Sequence, residues 1–289
     1  MLSQHVRWLQ IENTTRCNAS CSVCDRNDWG YNTKSNLQLL DLDDKQLKLN
    51  LEMFPNLELI ELCGNRGDSI AAKNFSSQLD VLVDYISTKN CKISFSTNGS
   101  LRNKEWWTAF GKQLSKFDHN VVFAIDGLED TNHIYKQRTN FNKIIDNARS
   151  FIASGGRAIW KFLPFKHNEH QILDALKLSR ELGFVDFKFV KKPVVPLTTF
   201  DWKQKQFIKI HAWSQQQDYI PNHIDATNCD HLRLNQVYMS AEGKFHLCCH
   251  LQPSTDPVEF NHLPEVDKTF AQHPSNLCLE KCGKYVSIG

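Results

Sequence analysis

The sequence predicts an α/β fold, either a parallel sheet or an open barrel with helices outside. Three observations support this prediction. Short β-rich runs alternate with longer helical stretches between residues 8 and 192, which is the pattern of successive βα units. Glycines at 155, 156 and 183 follow two of the helical stretches just before the next strand, as C-terminal caps do. A chain of 289 residues with 41% hydrophobic residues can bury the core that such a domain needs.

The strand candidates are runs rich in β-branched or aromatic residues, and most of them end in a turn. They cover 8–15, 57–64, 92–99, 121–128, 158–165 and 185–192. Helices are predicted at 42–53, 73–88, 103–116, 140–153 and 168–182. In the second helix, apolar residues recur at helical spacing: Phe75, Leu79, Leu82, Val83 and Ile86. In folds of this kind, chemistry collects on the loops that follow the strands.

The character of the sequence changes after residue 192. We divide the chain into a barrel at 1–195, a linker and helix at 196–228, and a small cysteine-rich domain at 229–289. A polar helix is predicted over 201–217. A hairpin is predicted across 237–248, with Ala-Glu-Gly as its turn. Because small turn-rich segments usually need a metal or disulfides for stability, the tail is a candidate metal-binding unit.

Composition excludes several classes of protein. There are 34 Lys and Arg residues against 32 Asp and Glu, so the net charge of +2 gives no bulk electrostatic argument for a nucleic-acid binder. The N-terminus has no apolar signal region, and no run of 18 apolar residues could span a membrane. Ten cysteines in a long chain without an export signal are better explained by reduced, metal-binding thiols than by disulfides. We therefore expect a reducing cytoplasm.

Three of the cysteines form a tight cluster after the first strand. Cys17, Cys21 and Cys24 have the spacing C-x3-C-x2-C. Three thiolates on one loop can hold three irons of a [4Fe–4S] cluster and leave the fourth iron open to another ligand. Zinc is the alternative, although zinc sites favour four ligands and paired C-x2-C spacings.

The segment RCNASCSVCDR at 16–26, placed ahead of five further βα units, resembles the radical S-adenosylmethionine (SAM) superfamily. The resemblance implies a partial (β/α)6 TIM-like barrel whose [4Fe–4S] cluster is chelated by SAM at the open iron. It also implies that one electron cleaves SAM to methionine and a 5′-deoxyadenosyl radical, which abstracts hydrogen from a substrate. Such an enzyme would need an electron donor such as flavodoxin or ferredoxin.

The resemblance also implies a set of cofactor-binding residues. The segment CGNRGDS stands where many members have Gly-Gly-Glu-Pro, and only its second glycine is kept. Lys136 and Arg138 lie where relatives place a base for the SAM carboxylate, with solvated surface charge as the alternative. Val23 replaces an aromatic residue often found before the third cysteine. The implied SAM contacts are Gly67, Asp68, Ser96, Asn98, Asp126, Lys136 and Arg138.

The tail resembles a second family feature. Cys229, Gly243 and Cys248 have the spacing C-x13-G-x4-C, which is similar to the opening of the SPASM and twitch extensions that bind auxiliary clusters. Cys278 and Cys282 would complete one four-thiolate site, the twitch arrangement, and Cys249 is an alternate ligand. A structural zinc is the alternative occupant of these four thiolates.

The resulting hypothesis is an enzyme that carries out a net oxidation of a small molecule or peptide, with the auxiliary cluster accepting an electron. The cysteine loop begins at residue 17, so no peptide-recognition domain precedes it, which favours a small molecule. The alternatives are a metal-stapled binding module without turnover and an RNA-modifying radical SAM enzyme. Nucleic acid and membrane partners are not expected, and the sequence does not identify a catalytic acid or base.

Overall fold

The computed structural model describes residues 4–189, 197–211 and 236–246. The strands in this part of the chain are β1 (Trp8–Ile11), β2 (Asn27–Asp28), β3 (Asn32–Thr33), β4 (Leu59–Leu62), β5 (Lys92–Thr97), β6 (His119–Ala124), β7 (Ala158–Phe162), β8 (Asp186–Phe189), β9 (Leu197–Asp201), β10 (Gln206–Ile210), β11 (Gln236–Met239) and β12 (Phe245–His246). The α-helices are α1 (Asp44–Glu52), α2 (Phe75–Ser87), α3 (Lys104–Leu114), α4 (Asn132–Tyr135), α5 (Phe141–Ala153) and α6 (Ile172–Glu181). No helix among the described residues is long and apolar enough to cross a bilayer.

One eight-stranded sheet organises these elements, with the order β12-β11-β1-β4-β5-β6-β7-β8. Neighbouring strands from β11 to β8 run parallel, and only β12 is antiparallel to its neighbour. The six strands predicted between residues 8 and 192 are β1 and β4–β8. The predicted α/β class is therefore confirmed, and the carboxyl ends of the parallel strands share one edge of the sheet.

Aromatic side chains between the sheet, α3 and α5 form much of the core. Trp107 and Phe151 are fully buried and lie 5.7 Å apart between ring centroids, and the Phe123 ring lies 5.0 Å from Trp107. The apolar spacing of α2 is also confirmed, because Phe75, Leu79, Leu82 and Ile86 are all buried. Helices α5 and α6 each end before a glycine with positive φ, at 155 and 183, as the sequence predicts.

The helix predicted over 201–217 is wrong for the described part of that segment. Residues 197–201 and 206–210 instead form an antiparallel hairpin, β9–β10. The Asp201 side chain accepts the backbone N–H groups of Lys203 and Gln204 at 2.8 and 3.0 Å and so fixes the turn. The β-branched and aromatic residues of both strands, which favour extended backbone, explain why the hairpin forms here in place of the predicted helix.

The predicted hairpin near residue 240 is confirmed, with Gly243 in its turn at φ +75°. A conformation of that kind favours glycine over residues with a Cβ. The hairpin lies in the main sheet, since β11 pairs in parallel with β1 from Trp8↔Gln236 to Ile11↔Met239. The predictions for Cys229, Cys248, Cys249, Cys278 and Cys282 concern positions outside the described residues.

The aromatic core generates a stability prediction. Phe151→Ala should lower the free energy of unfolding by about 3–5 kcal/mol, because it leaves a cavity between α5 and the sheet that cannot collapse fully. Urea unfolding of the purified chain measures this change. Leu173→Ala is the matched control, since Leu173 is 77% exposed and its loss should change stability by less than about 0.5 kcal/mol. Equal effects of the two substitutions would contradict the assignment of this core.

Candidate functional site

The three clustered cysteines lie on the loop that follows β1, at the carboxyl edge of the sheet. Cys17, Cys21 and Cys24 are half-buried free thiols. The Ala19 N–H points at the Cys17 sulfur at 3.3 Å, and the Cys24 N–H donates to the Cys21 carbonyl at 3.3 Å. The loop is also tied to the segment after α4, because the Ser20 N–H donates to the Gln137 carbonyl at 3.0 Å. The sequence therefore holds the three thiols together within one local turn structure.

The burial of these three thiols opposes their ionisation to thiolates. Burial is the main cause that raises the pKa of all three, and it raises the pKa of Cys21 to about 11. The neighbouring charge of Arg26 lowers the pKa of each thiol, and Lys136 lowers the pKa of Cys21 and Cys24. A ligand that binds all three as thiolates therefore depends on these two cations.

Arg26 is the residue that best tests whether an iron–sulfur cluster fits. Its side chain is buried at 5% exposure, and its guanidinium donates to the carbonyls of Arg66 and Thr15, at 3.1 and 3.2 Å. Among the described residues no carboxylate forms an ion pair with it. A buried cation without a counter-charge is costly, and three nearby thiolates would supply that charge. The residues present thus fit an anionic thiolate cluster.

The arrangement of possible metal ligands among the described residues does not suit a single metal ion. Within residues 4–189, 197–211 and 236–246, no three Cys, His, Asp or Glu side chains converge on one metal-ion position. A [4Fe–4S] cluster makes a different demand, because each cysteine binds its own iron.

Asp68 and Asn98, two of the residues expected to contact SAM, lie together beside Cys17. The buried Asp68 carboxylate accepts from the Thr97 hydroxyl at 2.9 Å and from the Asn98 backbone and side-chain N–H groups at 2.7 and 2.6 Å. The Asn98 amide also reaches the Asn18 side chain at 2.8 Å and the Cys17 sulfur at 3.7 Å. Asp68 therefore orients Asn98 against the cysteine loop.

Gly67 and Ser96 lie at the same edge of the sheet. A Cβ at Gly67 would lie 2.1 Å from the Thr14 carbonyl oxygen and 2.9 Å from that of Arg16, so only glycine fits at this approach to the cysteine loop. The Ser96 carbonyl accepts from the Ser69 hydroxyl at 2.7 Å, which joins β5 to the segment after β4.

Lys136 and Asp126 form a buried ion pair. The Lys136 Nζ lies 3.4 Å from the Asp126 Oδ2, with side chains 14% and 3% exposed. Burial opposes the charge on Lys136, but Asp126 and then Cys21 outweigh it and raise the Lys136 pKa. The Asp126 Oδ1 accepts from the Leu163 N–H at 2.8 Å, so the carboxylate is fixed. The alternative of a solvated surface charge is therefore wrong for Lys136.

Arg138 has a different environment. It is exposed, its backbone has φ +64°, and its guanidinium lies over the Trp202 ring at 5.2 Å from the ring centroid. The Trp202 Nε1 donates to the Gly30 carbonyl at 2.9 Å, which holds the β9–β10 hairpin against the segment after the cysteine loop. Arg138 thus lies at the junction of these two segments.

Sequence reasoning missed Arg26 as a residue of the site, and it also missed Glu12. Its carboxylate is 1% exposed and accepts three backbone N–H groups from the loop after β4. Burial raises the Glu12 pKa to about 7, although those N–H groups lower it in part. The one signal in the sequence was that Glu12 is the single charged residue in the run predicted as a strand at 8–15.

Comparisons with known proteins show which solved structures share the fold of this chain. No family model and no curated protein sequence matches the chain. Among solved structures, Streptococcus suis SuiB matches with a TM-score of 0.60 at 12% identity, over 93% of this chain and 66% of that chain. The structure of SuiB bound to S-adenosylmethionine matches with a TM-score of 0.57 at 12% identity, over the same shares of both chains. The chain has the same fold as these proteins.

A second match covers less of this chain. The structure of native anSMEcpe with bound AdoMet has a TM-score of 0.50 at 17% identity, over 64% of this chain and 51% of that chain. The chain thus spans about half to two thirds of the length of the matched structures. These likenesses confirm the partial (β/α)6 TIM-like barrel predicted from the sequence.

The burial of Glu12 generates a pH prediction. Its folded-state pKa of about 7 exceeds the ordinary value of 4.5, so its contribution to stability is present in full below pH 4.5 and is lost as the pH rises through 7. Between pH 5 and 8 the unfolding free energy of the wild type should fall by up to roughly 3 kcal/mol more than that of Glu12→Gln. Urea unfolding of the metal-free chain at several pH values measures this difference.

Glu61→Gln is the matched control for that experiment, because Glu61 lies on the adjacent strand β4 and hydrogen-bonds Gln10 at 2.9 Å outside the loop. Its pH profile should follow that of the wild type. Parallel profiles for the wild type and Glu12→Gln would contradict the assignment of the slope to Glu12.

Proposed function

We propose that this chain is a radical SAM enzyme in which Cys17, Cys21 and Cys24 bind a [4Fe–4S] cluster. The observation that carries the proposal is a buried Arg26 that pairs with no carboxylate among the described residues and lies beside three half-buried thiols, on a fold that SAM-bound proteins share. When bound, such a cluster supplies one electron to SAM, and the 5′-deoxyadenosyl radical that results abstracts hydrogen from a substrate. The residues of this chain bind and orient the reactants.

Lys136 is proposed to bind the SAM carboxylate. Its ammonium has three N–H donors, and the pairing with Asp126 leaves others for a ligand. Asp126, fixed by the Leu163 N–H, keeps this ammonium next to Cys21. Arg138, at the junction with the β9–β10 hairpin, is a proposed second cation for the same carboxylate.

Asp68 and Asn98 are proposed to act on the cluster side of SAM. Their hydrogen bonds hold Asn18 and Cys17 in place, and hydrogen bonds to a ligand sulfur tune a cluster's potential. Gly67, which packs against Thr14 without a Cβ, is proposed to bring backbone of the β4 loop next to the SAM amino group, with Ser96 on the adjacent strand.

The reaction is proposed to be a net oxidation of a small molecule or peptide. An auxiliary cluster bound by Cys229, Cys248, Cys278 and Cys282, with Cys249 as alternate ligand, would accept an electron from the substrate radical. A flavodoxin or ferredoxin in a reducing cytoplasm would supply electrons to the first cluster. The spacing of these cysteines in the sequence is what supports their assignment as ligands of the auxiliary cluster.

A peptide substrate has support in the structure. Three large side chains on the segments beside the cysteine loop are exposed: Trp29 at 58%, Tyr31 at 45% and Phe207 at 55%. Exposed apolar patches of this kind are typical of surfaces that bind other molecules. One matched structure is SuiB bound to the precursor peptide SuiA, with a TM-score of 0.57 at 13% identity.

Iron content and SAM cleavage test the function directly. Anaerobic reconstitution should give about eight irons per chain with the auxiliary cluster, or about four without it, and reduction with dithionite in the presence of added SAM should release 5′-deoxyadenosine and methionine. Changing Cys17, Cys21 and Cys24 together to alanine should remove about four irons and all cleavage. Cys63→Ala is the control and should keep both. Zinc at the cysteine loop with no cleavage would overturn the proposal.

Arg26 generates a second prediction. Its positive charge favours the reduced, more negative cluster, so Arg26→Gln should make the cluster's reduction potential more negative, and Arg26→Lys should restore most of the wild-type value. Reductive titration followed by electron paramagnetic resonance measures the potential. Arg16→Gln is the control, because the Arg16 guanidinium is already paired with Asp41 at 2.8 Å. An equal shift in the control would show that Arg26 has no special role.

A further inference from the structure

Glu12 lies directly beneath the loop that follows β4. Its Oε2 accepts the N–H groups of Asn65 and Arg66 at 2.9 and 3.0 Å, and its Oε1 accepts the Gly67 N–H at 3.2 Å. Three successive backbone N–H groups that converge on one charge are the arrangement of an anion-binding nest. Here the bound anion is a side chain of the protein itself, contributed by the end of β1.

This arrangement fixes the direction of the loop's carbonyls. In a trans peptide unit the N–H and the C=O point in opposite directions. Because the N–H groups of residues 65–67 face Glu12, the carbonyls in the same peptide units face away from it. The Asn65 carbonyl accepts from the Cys24 thiol at 3.9 Å, and the Arg66 carbonyl accepts from the Arg26 Nε at 3.1 Å. The carbonyl side of the loop therefore faces the cysteine loop.

One peptide unit connects two buried charges. The Gly67 N–H binds Glu12, and the Arg66 carbonyl of the same unit binds Arg26. Glu12 and Arg26 are 1% and 5% exposed. A peptide dipole held between a carboxylate and a guanidinium is stabilised at both ends, which restrains rotation of the unit.

The arrangement does not serve the stability of the fold at neutral pH. Burial raises the pKa of Glu12 to about 7, so the three N–H groups do not fully offset the loss of water around its charge. The other groups that face the carboxylate are the Tyr238 hydroxyl at 3.4 Å and the Cys63 sulfur at 3.9 Å, and the Arg66 charge also lowers its pKa. What the three hydrogen bonds do supply is a fixed orientation of residues 65–67.

We propose that Glu12 is a positioning residue for SAM: its carboxylate holds residues 65–67 so that the loop's carbonyls face the cationic amino group of the cofactor. In this proposal Glu12 acts through the loop, whose N–H groups it binds, and not by contact with SAM. The inference rests on the proposed function and deepens it, since it assigns the geometry of the SAM site to a residue on a different strand.

SAM affinity of the reconstituted holoprotein tests the proposal. A glutamine offers one acceptor oxygen, and its NH2 group opposes the loop N–H groups, so Glu12→Gln should weaken SAM binding about tenfold, or about 1.4 kcal/mol, by isothermal titration calorimetry. Iron content and the cleavage rate at saturating SAM should stay within about twofold of the wild type. Glu61→Gln is the control and should bind SAM as the wild type does. Unchanged affinity in Glu12→Gln, or an affinity loss that matches a loss of iron, would overturn the proposal.

A second readout needs no cofactor. Hydrogen exchange at the amides of residues 65–67 in the metal-free chain should be faster in Glu12→Gln than in the wild type, and unchanged in Glu61→Gln. If these amides exchange equally in all three proteins, Glu12 does not hold the loop. A wild-type holoprotein that binds no SAM would overturn the proposed function, while the exchange rates would still decide the role of Glu12. Where Glu12→Gln does not fold, Glu12→Asp, one methylene shorter, carries the same comparison.

Discussion

A guanidinium kept out of water beside three cysteine thiols is the constraint on which the carboxyl edge of this sheet depends. Arg26 reaches only carbonyl oxygens among the described residues, and burial raises the pKa of the thiols around it. Arg26 therefore lacks a carboxylate counter-charge among the described residues, and the buried thiols resist ionisation. The loops after β4, β5 and β6 bring the remaining polar groups to this centre, where hydrogen bonds within the chain hold Asp68, Asn98 and Asp126.

Two buried carboxylates hold these polar groups beside different cysteines of the loop. Asp68 binds the end of β5 and orients Asn98 towards Cys17, whereas Asp126 at the end of β6 binds Lys136 next to Cys21. A parallel sheet makes this possible, because successive strands deliver their carboxyl ends to one edge. The polar residues of the site thus come from several loops, and the parallel strands position these loops relative to one another.

The sequence predicted what is local. The alternation of βα units, the cysteine spacing and the glycine in the hairpin turn are all patterns within short windows. Glu12 and Arg26 were missed because their partners, in the loop at 65–67, lie at least forty residues away along the chain. The helix predicted over 201–217 was wrong for residues 201–211 because aromatic residues at that spacing also suit a twisted hairpin. The pairing of β11 with β1 joins residues more than 220 positions apart, and no periodicity encodes such a contact.

That last pairing has a consequence for how the protein is made. A ribosome releases β1 first and β11 more than two hundred residues later, so one edge of β1 stays without its neighbour through all of that synthesis. The Glu12 N–H donates to the Met239 carbonyl at 2.8 Å, which places the closing contact within the candidate site itself. Contacts of such long sequence separation form slowly, and an open strand edge invites pairing with other chains. A nascent chain therefore cannot form the contact between Glu12 and Met239 until β11 has emerged.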